Sequence, residues 1–392
     1  MRPLTGITVV TLEHAIAAPF ATRQLADLGA RVIKVERPGV GDFARGYDER
    51  VRGLSSHFVW TNRGKESLTL DVKQPEALAL AKRLVLERAD VLVQNLAPGA
   101  AARLGLDHAS LAPDKPGLIV CDISGYGADG PYRDKKAYDL LIQSEAGVLS
   151  VTGTPEEPVK TGISVADIAA GMYAYSNILA ALIERARTGR GRRIDVSMLE
   201  SLVEWMSYPL YYAFDGAAPP ERTGARHATI YPYGPFPARD GATVMLGIQN
   251  EREWAAFCDK VLARPELASD PRFSSVSKRA AAREQLAPII AAVFSRLTGD
   301  DLVRRLDAAQ IANARVNDMR GVWAHPQLRA RERWRDVDTP AGPVPAPAPP
   351  GIPSEDARMD PVPALGEHTG PILRELGLGD ADVARLRAAK AI

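Results

Sequence analysis

The sequence has few of the residues that build disulfide scaffolds and metal centres. Only two of its 392 residues are cysteines and six are histidines. Cys121 and Cys258 lie far apart, Cys121 falls in an apolar run typical of the core, and no two histidines are spaced i, i+4. These features exclude a disulfide framework and argue against a zinc site. They predict a reducing, cytoplasmic compartment.

Net charge and long apolar runs are also lacking. The 49 basic and 48 acidic residues leave a formal charge of +1, which provides no field to recruit nucleic acid or an anionic membrane. The N-terminal apolar run is too short for a signal sequence, and we expect no apolar stretch of membrane-spanning length. The composition predicts a soluble globular protein without nucleic-acid or membrane partners.

Strand patterns alternate with helix patterns in the first half of the chain. The predicted strands are Ile7–Leu12, Arg31–Glu36, Ser67–Val72, Val91–Asn95 and Leu118–Ser124, with a further strand and helix in Arg192–Met206. A helix is predicted over Pro75–Arg88. This alternation indicates β-α-β units, an α/β fold and a largely parallel sheet. Ligands of such sheets bind beyond the carboxyl ends of the strands. The candidates that follow strands in this way are His14, Arg37, Lys73, Asn95 and the loop from Gly125.

The pattern changes in the second half of the chain. Residues 219–241 are rich in proline, glycine and tyrosine, and a strand and several helices follow them. We therefore predict a second, smaller domain over residues 225–325. The proline-rich run at 339–353 is expected to be stiff and extended.

A long helix is predicted to begin at Asp167 and to end at Thr188-Gly189. Apolar residues recur along it at spacings of three and four, and Gly189 can adopt the left-handed conformation that ends helices. The free N–H groups and positive dipole at a helix start favour a carboxylate. Asp167 is therefore either a helix cap or an oriented nucleophile, and its own segment does not decide between them.

The match to G-x-G-x-x-G at Gly125–Gly130 is not a convincing dinucleotide site. That fingerprint opens a helix in the first β-α-β unit, whereas here Pro131 and a polar run follow it. The sequence also has no P-loop, HExxH, paired CxxC or G-x-S-x-G motif. We expect no permanently bound cofactor and no metal.

Long blocks of the sequence, in order, resemble the family III CoA-transferases. This family includes formyl-CoA transferase, carnitine CoA-transferase and the α-methylacyl-CoA racemases. The blocks are LTGITVVTLEHAIAAPFATRQLADLGARVIKVERPGVGD, NRGKESLTLDV, VLVQNLAPGAAARLG, SGYGADGPY, KAYDLLIQSEAGVLSVTG, GISVADIAAGMYA, ARTGRGRRIDVSMLES and LGEHT. GARHATIYPYGPFPARDG and ARVNDMRGVWAHPQL are similar to enzymes that move CoA between dicarboxylic acids, such as the succinyl-CoA:glutarate type.

The resemblance implies a fold and a reaction. It implies a Rossmann-like CoA-binding domain over residues 1–210, an α+β domain over 225–325, a linker at 326–392 that returns to the large domain, and an interlocked homodimer. Asp167 matches the family's nucleophile, which attacks an acyl-CoA and forms an aspartyl-CoA thioester. Coenzyme A is then a substrate and not a cofactor. The expected partners are an acyl-CoA donor, for which succinyl-CoA is a candidate, and a carboxylic acid acceptor, which is expected to be dicarboxylic.

The resemblance also implies seven CoA contacts by matched position. They are His14 at the acyl and pantetheine end, Asn95 on pantetheine, Arg37 beside the adenine, Lys73 and Arg103 near the phosphates, and Lys136 and Tyr138 at the active-site edge. Ile16 stands where formyl-CoA transferase has glutamine, and the glycine-rich lid of that enzyme has no counterpart. The first departure argues against a formyl or oxalyl substrate, and the second leaves open how water is excluded from the site.

Two alternative functions and one set of candidate residues were also considered. In the racemase branch a histidine replaces Tyr138, and a tyrosine, with a reference pKa of about 10, is a poor base near neutral pH. A catalytically silent acyl-CoA-binding protein is not supported, because Asp167 is intact. Arg45, Arg63 and Arg226 are candidates for holding the distal carboxylate of a dicarboxylic acid by bidentate pairing.

Overall fold

The computed structural model describes residues 2–392, which form two compact units. One unit comprises the chain up to Ala146, Thr161–Ser207 and Pro326–Ile392. The other comprises Gly147–Lys160 and Tyr208–His325.

The first unit contains a six-stranded parallel sheet. Its strands are β1 (Thr8–Leu12), β2 (Arg31–Glu36), β3 (Lys65–Thr69), β4 (Val91–Gln94), β5 (Ile119–Ser124) and β6 (Arg193–Ser197). They are arranged in the order β3-β2-β1-β4-β5-β6, and every neighbouring pair is parallel. This is the strand order of Rossmann-type domains, so the predicted parallel α/β sheet is confirmed.

Helices connect these strands and cover the sheet. Up to residue 205 they are α1 (Ala17–Asp27), α2 (Ser56–Asn62), α3 (Pro75–Arg88), α4 (Ala100–Arg103), α5 (His108–Leu111), α6 (Asp139–Glu145), α8 (Val165–Thr188) and α9 (Met198–Trp205), with a 3₁₀ turn at Phe43–Gly46. The short helix α7 (Val148–Val151), between α6 and α8 in the chain, belongs to the second unit. The predicted bounds of α3 are confirmed. α8 ends as predicted at Gly189, whose φ is 71°, but begins two residues before Asp167.

The second unit has its own antiparallel sheet and core. Its strands are β7 (Tyr233–Pro237), β8 (Thr243–Gly247) and β9 (Ala312–Arg315), in that order. Its helices after α7 are α10 (Ser207–Tyr212), α11 (Glu251–Ala256), α12 (Val276–Ala281), α13 (Arg283–Phe294), α14 (Gly299–Ala308) and α15 (Met319–Trp323), with short turns at Phe214–Gly216, Phe257–Val261 and Pro265–Ala268. Trp254, Phe257, Phe273 and Phe294 are buried at its centre.

The last 67 residues, Pro326–Ile392, belong to the first unit. They form α16 (Pro326–Ala330), the antiparallel pair β10 (Trp334–Val337) and β11 (Val344–Pro347), α17 (Thr369–Glu375) and α18 (Asp380–Ala388). The Thr69 N–H donates to Thr369 Oγ1 at 3.0 Å, and the Asp71 N–H donates to the Ala391 carbonyl at 2.8 Å. The C-terminal segment is thus bonded to the β3 edge of the sheet.

The sheet is covered on both faces. On one face, side chains of β1, β2 and β5 form a buried cluster with α3, α17 and α18, which includes Val10, Ile33, Val120, Leu373 and Leu386. On the other, α1 packs on β2 and β4, and α8 packs on β5 and β6. Helices α1 and α8 also pack against each other. Their contact brings the start of α8 to the loop that follows β1.

Helix α8 corrects one expectation from the sequence. It is 24 residues long and is apolar enough, by length and composition, to cross a membrane, although no such stretch was expected. Its alanines raise its apolar content, and Ala166, Ala169, Ala170 and Ala174 are all fully buried. Because α8 packs on the sheet, on α1 and on α9, we assign it to the core.

Candidate active site

The carboxylate of Asp167 is not used to cap its own helix. Ser164 occupies the N-cap position of α8 without a side-chain bond to the helix, and Asp167 is the third helical residue. The first turn is capped from α6 instead, because the Ala166 N–H donates to Asp139 Oδ1 at 2.8 Å. Asp167 instead faces the backbone N–H of Ala17, which favours its ionised form. The cap interpretation is therefore wrong, and the Asp167 side chain remains available for chemistry.

Burial and two neighbouring groups determine the pKa of Asp167. Burial has the largest effect and raises this pKa, the negative charge of Asp139 raises it further, and the hydrogen bond from the Ala17 N–H lowers it. The net result raises the pKa of Asp167 to about 7. A carboxyl with this pKa is about half ionised at neutral pH. Such a shift, at a partly accessible position, is typical of functional carboxyls.

A glycine in α8 allows α1 to come close to Asp167. Gly171 lies one turn beyond Asp167, and a Cβ at this position would lie 2.8 Å from the Ala17 carbonyl oxygen and 2.9 Å from Phe20 Cδ1. Because backbone cannot move aside as a flexible side chain can, only glycine fits here. The same contact holds Ala17 beside Asp167.

We expect Gly171→Ala to lower the free energy of unfolding by about 1–3 kcal/mol, because the added methyl overpacks the α1–α8 contact. Gly370→Ala on α17 is the matched control, since its Cβ would meet only the flexible end of Arg374, at 3.7 Å. That control is expected to be neutral or slightly stabilising. Thermal unfolding of the two variants measures the difference, and equal melting temperatures would contradict the close packing.

The loop from β1 to α1 is held in a defined conformation. The His14 N–H donates to Asn95 Oδ1 and Asn95 Nδ2 donates to the His14 carbonyl, both at 2.9 Å. Ala15 has a φ of 61°, in the left-handed region, and its N–H donates to Asp42 Oδ1 at 3.1 Å. These bonds compensate for the strained backbone and direct the next N–H groups, including that of Ala17, toward α8.

A network of charged side chains lies beneath this loop. Lys34 Nζ donates to Asp42 Oδ2 at 2.6 Å, and Lys65 Nζ donates to Glu13 Oε1 at 2.6 Å. Lys34 Nζ also lies 3.6 Å from Glu13 Oε1, and all four side chains are fully buried. Burial alone would raise the pKa of Asp42, but Lys34 and the Ala44 N–H bond hold that pKa below its ordinary value. Burial lowers the pKa of Lys65 to about 7, against the opposing effect of the Glu13 carboxylate.

Lys34→Met is expected to lower the free energy of unfolding by about 3–5 kcal/mol, because it leaves the buried Asp42 carboxylate without its cation. Lys73→Met is the control, since Lys73 is exposed and its loss should change stability by less than about 0.5 kcal/mol. Urea unfolding midpoints compare the two variants. A Lys34→Met midpoint equal to that of the control would show that the network contributes nothing to stability.

Aromatic rings form one wall of the site. His14 stacks on Phe43, Phe43 contacts Tyr47 and Tyr47 contacts His57, with centroids 5.3, 5.7 and 5.3 Å apart. Burial and the charges of Asp42 and Asp167 raise the pKa of Tyr47 to about 12, so its hydroxyl stays protonated. Tyr47 and Asp139 were not predicted from the sequence. Asp139 lies in the block KAYDLLIQSEAGVLSVTG, but its role depends on a contact with α8.

The predicted CoA contacts divide into two groups. His14 and Asn95 are joined in the loop beside Ala17, and Tyr138 occupies the N-cap position of α6 next to Asp139. Tyr138 also acts electrostatically on Tyr47. The four basic candidates have exposed side chains close to the ends of strands or short helices. They are Arg37 after β2, Lys73 after β3, Arg103 at the end of α4 and Lys136 before α6. Contact of these residues with CoA stays a prediction.

Two of the three arginines considered for a distal carboxylate are already paired inside the protein. Arg45 donates to both carboxylate oxygens of Glu36, at 2.9 and 2.8 Å. Arg63 is buried and donates to both oxygens of Asp27, at 2.9 Å each. These two candidates are therefore wrong, because their bidentate faces are occupied. Arg226 lies in the second unit and is exposed.

Neither the glycine motif nor a cavity near the strand ends supplies a wall around Asp167 in the contacts described. Gly125 follows β5, and a Cβ there would lie 2.2 Å from Ala137 Cβ, so its role is to admit the neighbouring chain. A cavity of about 510 Å³ lies near the ends of β4 and β5, and its walls do not include Asp167. Within residues 2–392, no group of three or more His, Cys, Asp or Glu side chains is suited to hold a metal ion.

Comparison with known proteins gives consistent results along the chain. The family model described as CoA-transferase family III matches residues 4–369. The chain is 33% identical over 383 residues to the human succinyl-CoA:glutarate CoA-transferase, covering 96% of this chain and 86% of that one. It is 36% identical over 386 residues to the succinate–glutarate CoA-transferase of Agrobacterium fabrum, covering 95% and 96%. A crystal structure of a CaiB/BaiF family protein from Brucella suis has a TM-score of 0.83 and 35% identity, covering 96% of this chain and 99% of that one.

Proposed function

Because this chain belongs to CoA-transferase family III, we propose that it moves CoA from an acyl-CoA to a dicarboxylic acid through an aspartyl-CoA thioester on Asp167. The chain is a CoA-transferase, and the groups around Asp167 suit this chemistry. One observation supports Asp167 as the nucleophile most directly: its carboxylate does not cap its own helix and accepts a hydrogen bond from the Ala17 N–H.

The reaction is proposed to proceed through four acyl transfers. An Asp167 oxygen attacks the donor thioester carbonyl, so that an aspartyl anhydride forms and CoA leaves as thiolate. The thiolate attacks the aspartyl carbonyl, which gives aspartyl-CoA and releases the donor acid. The acceptor carboxylate then attacks aspartyl-CoA, forming a second anhydride and freeing the thiolate. Attack of the thiolate on the acceptor carbonyl yields the new acyl-CoA and regenerates Asp167. Each intermediate is itself an activated acyl group, so the free energy of the donor thioester is retained through the four steps.

The surrounding groups support these steps. In the second and third steps negative charge develops on the Asp167 carbonyl oxygen, and a fixed backbone donor such as the Ala17 N–H stabilises such an oxyanion. The start of α8 adds the positive end of a helix dipole. His14, Asn95 and Tyr138 are proposed to line the acyl and pantetheine end. Arg37, Lys73, Arg103 and Lys136 are proposed to bind the nucleotide end, where exposed cations can reach phosphates.

Succinyl-CoA is proposed as the donor, with a short-chain dicarboxylic acid of the glutarate class as acceptor. Two relatives that align over nearly the whole chain are named for this pair of substrates. Ile16 in place of the glutamine of formyl-CoA transferase is consistent with a substrate other than formate or oxalate. The racemase alternative is disfavoured by Tyr138, which replaces the histidine base of that branch.

The test is to trap the covalent intermediate. The protein is mixed with succinyl-, glutaryl-, mesaconyl-, formyl- or acetyl-CoA, quenched with hydroxylamine or borohydride and digested for mass spectrometry. We expect modification of the peptide containing Asp167 with succinyl- or glutaryl-CoA, and none in the Asp167→Ala variant. An unmodified peptide, together with α-proton exchange into deuterated water on a branched acyl-CoA, would support the racemase instead.

The assembly and compartment are proposed from separate observations. We propose a homodimer because the family resemblance implies one and because Tyr208, Tyr211 and Phe214 are exposed, at 53%, 79% and 73%. A cytoplasmic location is proposed because both cysteines are free and buried. Light scattering of the purified protein tests the first proposal, since a molar mass near the 42.3 kDa of one chain would exclude a stable dimer.

A further inference from the structure

Asp139 uses both of its carboxylate oxygens to join α6 to the start of α8. Oδ1 accepts the Ala166 N–H at 2.8 Å, and Oδ2 accepts Gln143 Nε2 at 2.6 Å. Gln143 is fully buried, and its Oε1 accepts the Thr161 N–H at 3.0 Å. A continuous chain of hydrogen bonds therefore runs from the loop before α8, through two side chains of α6, to the residue preceding Asp167.

This chain replaces a cap that α8 lacks. Ser164 makes no side-chain bond to the first turn, so Asp139 satisfies an N–H that would otherwise have no helical partner. Asp139 stands 27 residues before Ala166. Because it is bonded directly to the residue before Asp167, movement of Asp139 would move the nucleophile.

Asp139 also places a second negative charge beside Asp167. The groups that face Asp167 are the Ala17 N–H from α1, Asp139 from α6, Tyr47 from the segment after the 3₁₀ turn and the N-terminal end of α8 itself. Asp139 is the only group in this set that opposes ionisation of Asp167 by charge. Acylation converts Asp167 from an anion to a neutral anhydride or thioester, and the repulsion then disappears.

We propose that Asp139 is a positioning residue for CoA transfer, which holds the first turn of α8 and favours acylation of Asp167 by raising the energy of its free carboxylate. The proposal rests on Asp167 being the nucleophile. The repulsion between Asp139 and the Asp167 carboxylate is present in the resting enzyme and absent from the acylated one. Asp139 therefore lowers the barrier to acylation. A more basic carboxylate is also a stronger nucleophile when ionised.

The experiment compares Asp139→Asn with Glu145→Gln. The asparagine keeps an oxygen for the Ala166 N–H and removes the charge, but its NH2 group cannot accept from Gln143 Nε2. The control, Glu145, is an exposed acid of the same helix that pairs with Lys135. For Asp139→Asn we expect the acid limb of the kcat/KM profile to move to lower pH. We also expect the fraction of trapped acyl-enzyme, measured with succinyl-CoA and no acceptor, to fall about tenfold. Glu145→Gln should match the wild type in both measurements.

A second variant separates position from charge. Gln143→Met breaks the link to Thr161 without changing any charge, so kcat should fall while the acid limb stays in place. A profile and an acyl-enzyme fraction in Asp139→Asn equal to those of the wild type would overturn the proposal. If Asp139→Asn does not fold, the Gln143→Met variant decides: a wild-type kcat overturns the proposal, and a lower kcat with unchanged KM supports it. Absence of acyl-enzyme in the wild type would instead refute the proposed function.

Discussion

Asp167→Asn is expected to lower kcat for CoA transfer by about 10⁴-fold or more, because an amide cannot attack the thioester and loss of a covalent nucleophile is among the largest single-residue effects in enzymes. The change is close to isosteric and leaves α8 capped by Asp139, so the binding of acyl-CoA should be retained. Transfer from succinyl-CoA to glutarate, followed by chromatography of the acyl-CoAs, measures the loss. Calorimetric titration with CoA measures binding.

The matched control for this variant is Asp114→Asn, the same substitution in an exposed loop between α5 and β5. It should keep the wild-type kcat. Turnover in Asp167→Asn within tenfold of the wild type, in protein shown by mass spectrometry to retain the amide, would refute Asp167 as the nucleophile. Loss of CoA binding together with turnover would indicate a disturbed fold and not a lost nucleophile.

The second large effect is that of pH. Burial and Asp139 raise the pKa of Asp167 to about 7, and only the ionised carboxylate can attack. We therefore expect kcat/KM to fall about tenfold for each pH unit below 7, and about 100-fold by pH 5. For stability the sign is reversed: a carboxyl with a raised pKa in the folded state is favourable while protonated, and this contribution is lost as the pH rises through 7.

Both consequences can be measured together. The kcat/KM profile of the wild type between pH 5 and 9 should show an acid limb near 7, in Asp114→Asn as well. The melting temperature of Asp167→Asn should exceed that of the wild type at pH 8, and the difference should close toward pH 4. A kcat/KM that stays constant down to pH 5, as expected if Asp167 had the ordinary aspartate pKa of about 4, would show that neither burial nor Asp139 affects the working enzyme.

Features set by local pattern were predicted well. The bounds of α3 follow from Pro75 in its first turn and a regular apolar spacing, and the end of α8 follows from Gly189. Features set by distant contacts were not. β3 begins at Lys65, two residues before the predicted start, because this strand opens on a lysine that is buried by pairing with Glu13. α8 starts before Asp167 because its cap comes from Asp139 on another helix.

The same distinction applies to the site. Asp167, His14, Asn95 and Tyr138 lie in blocks that could be matched to a family. The structure places Asp167 beside Ala17 and Asp139, joins Asn95 to His14, and puts Tyr138 next to Asp139 at the start of α6. Tyr47 and Asp139 could not be identified, since neither has a local pattern that distinguishes it from a surface residue. The assignments of Arg45 and Arg63 failed for a related reason. An arginine can pair with a substrate carboxylate or with an internal one, and the surrounding sequence does not identify its partner.

The bonds between the C-terminal segment and the β3 edge have a consequence for synthesis of the enzyme. The Gly366 N–H donates to Ser67 Oγ at 2.8 Å, and Ser67 Oγ donates to Glu36 Oε2 at 2.6 Å. Glu36 Oε1 in turn accepts the Asp42 N–H at 2.9 Å, and Asp42 accepts the Ala15 N–H of the loop that faces Asp167. A chain synthesised only as far as residue 365 therefore already contains Asp167 but lacks this support, so the loop that faces Asp167 is completed only after the following segment has folded onto β3.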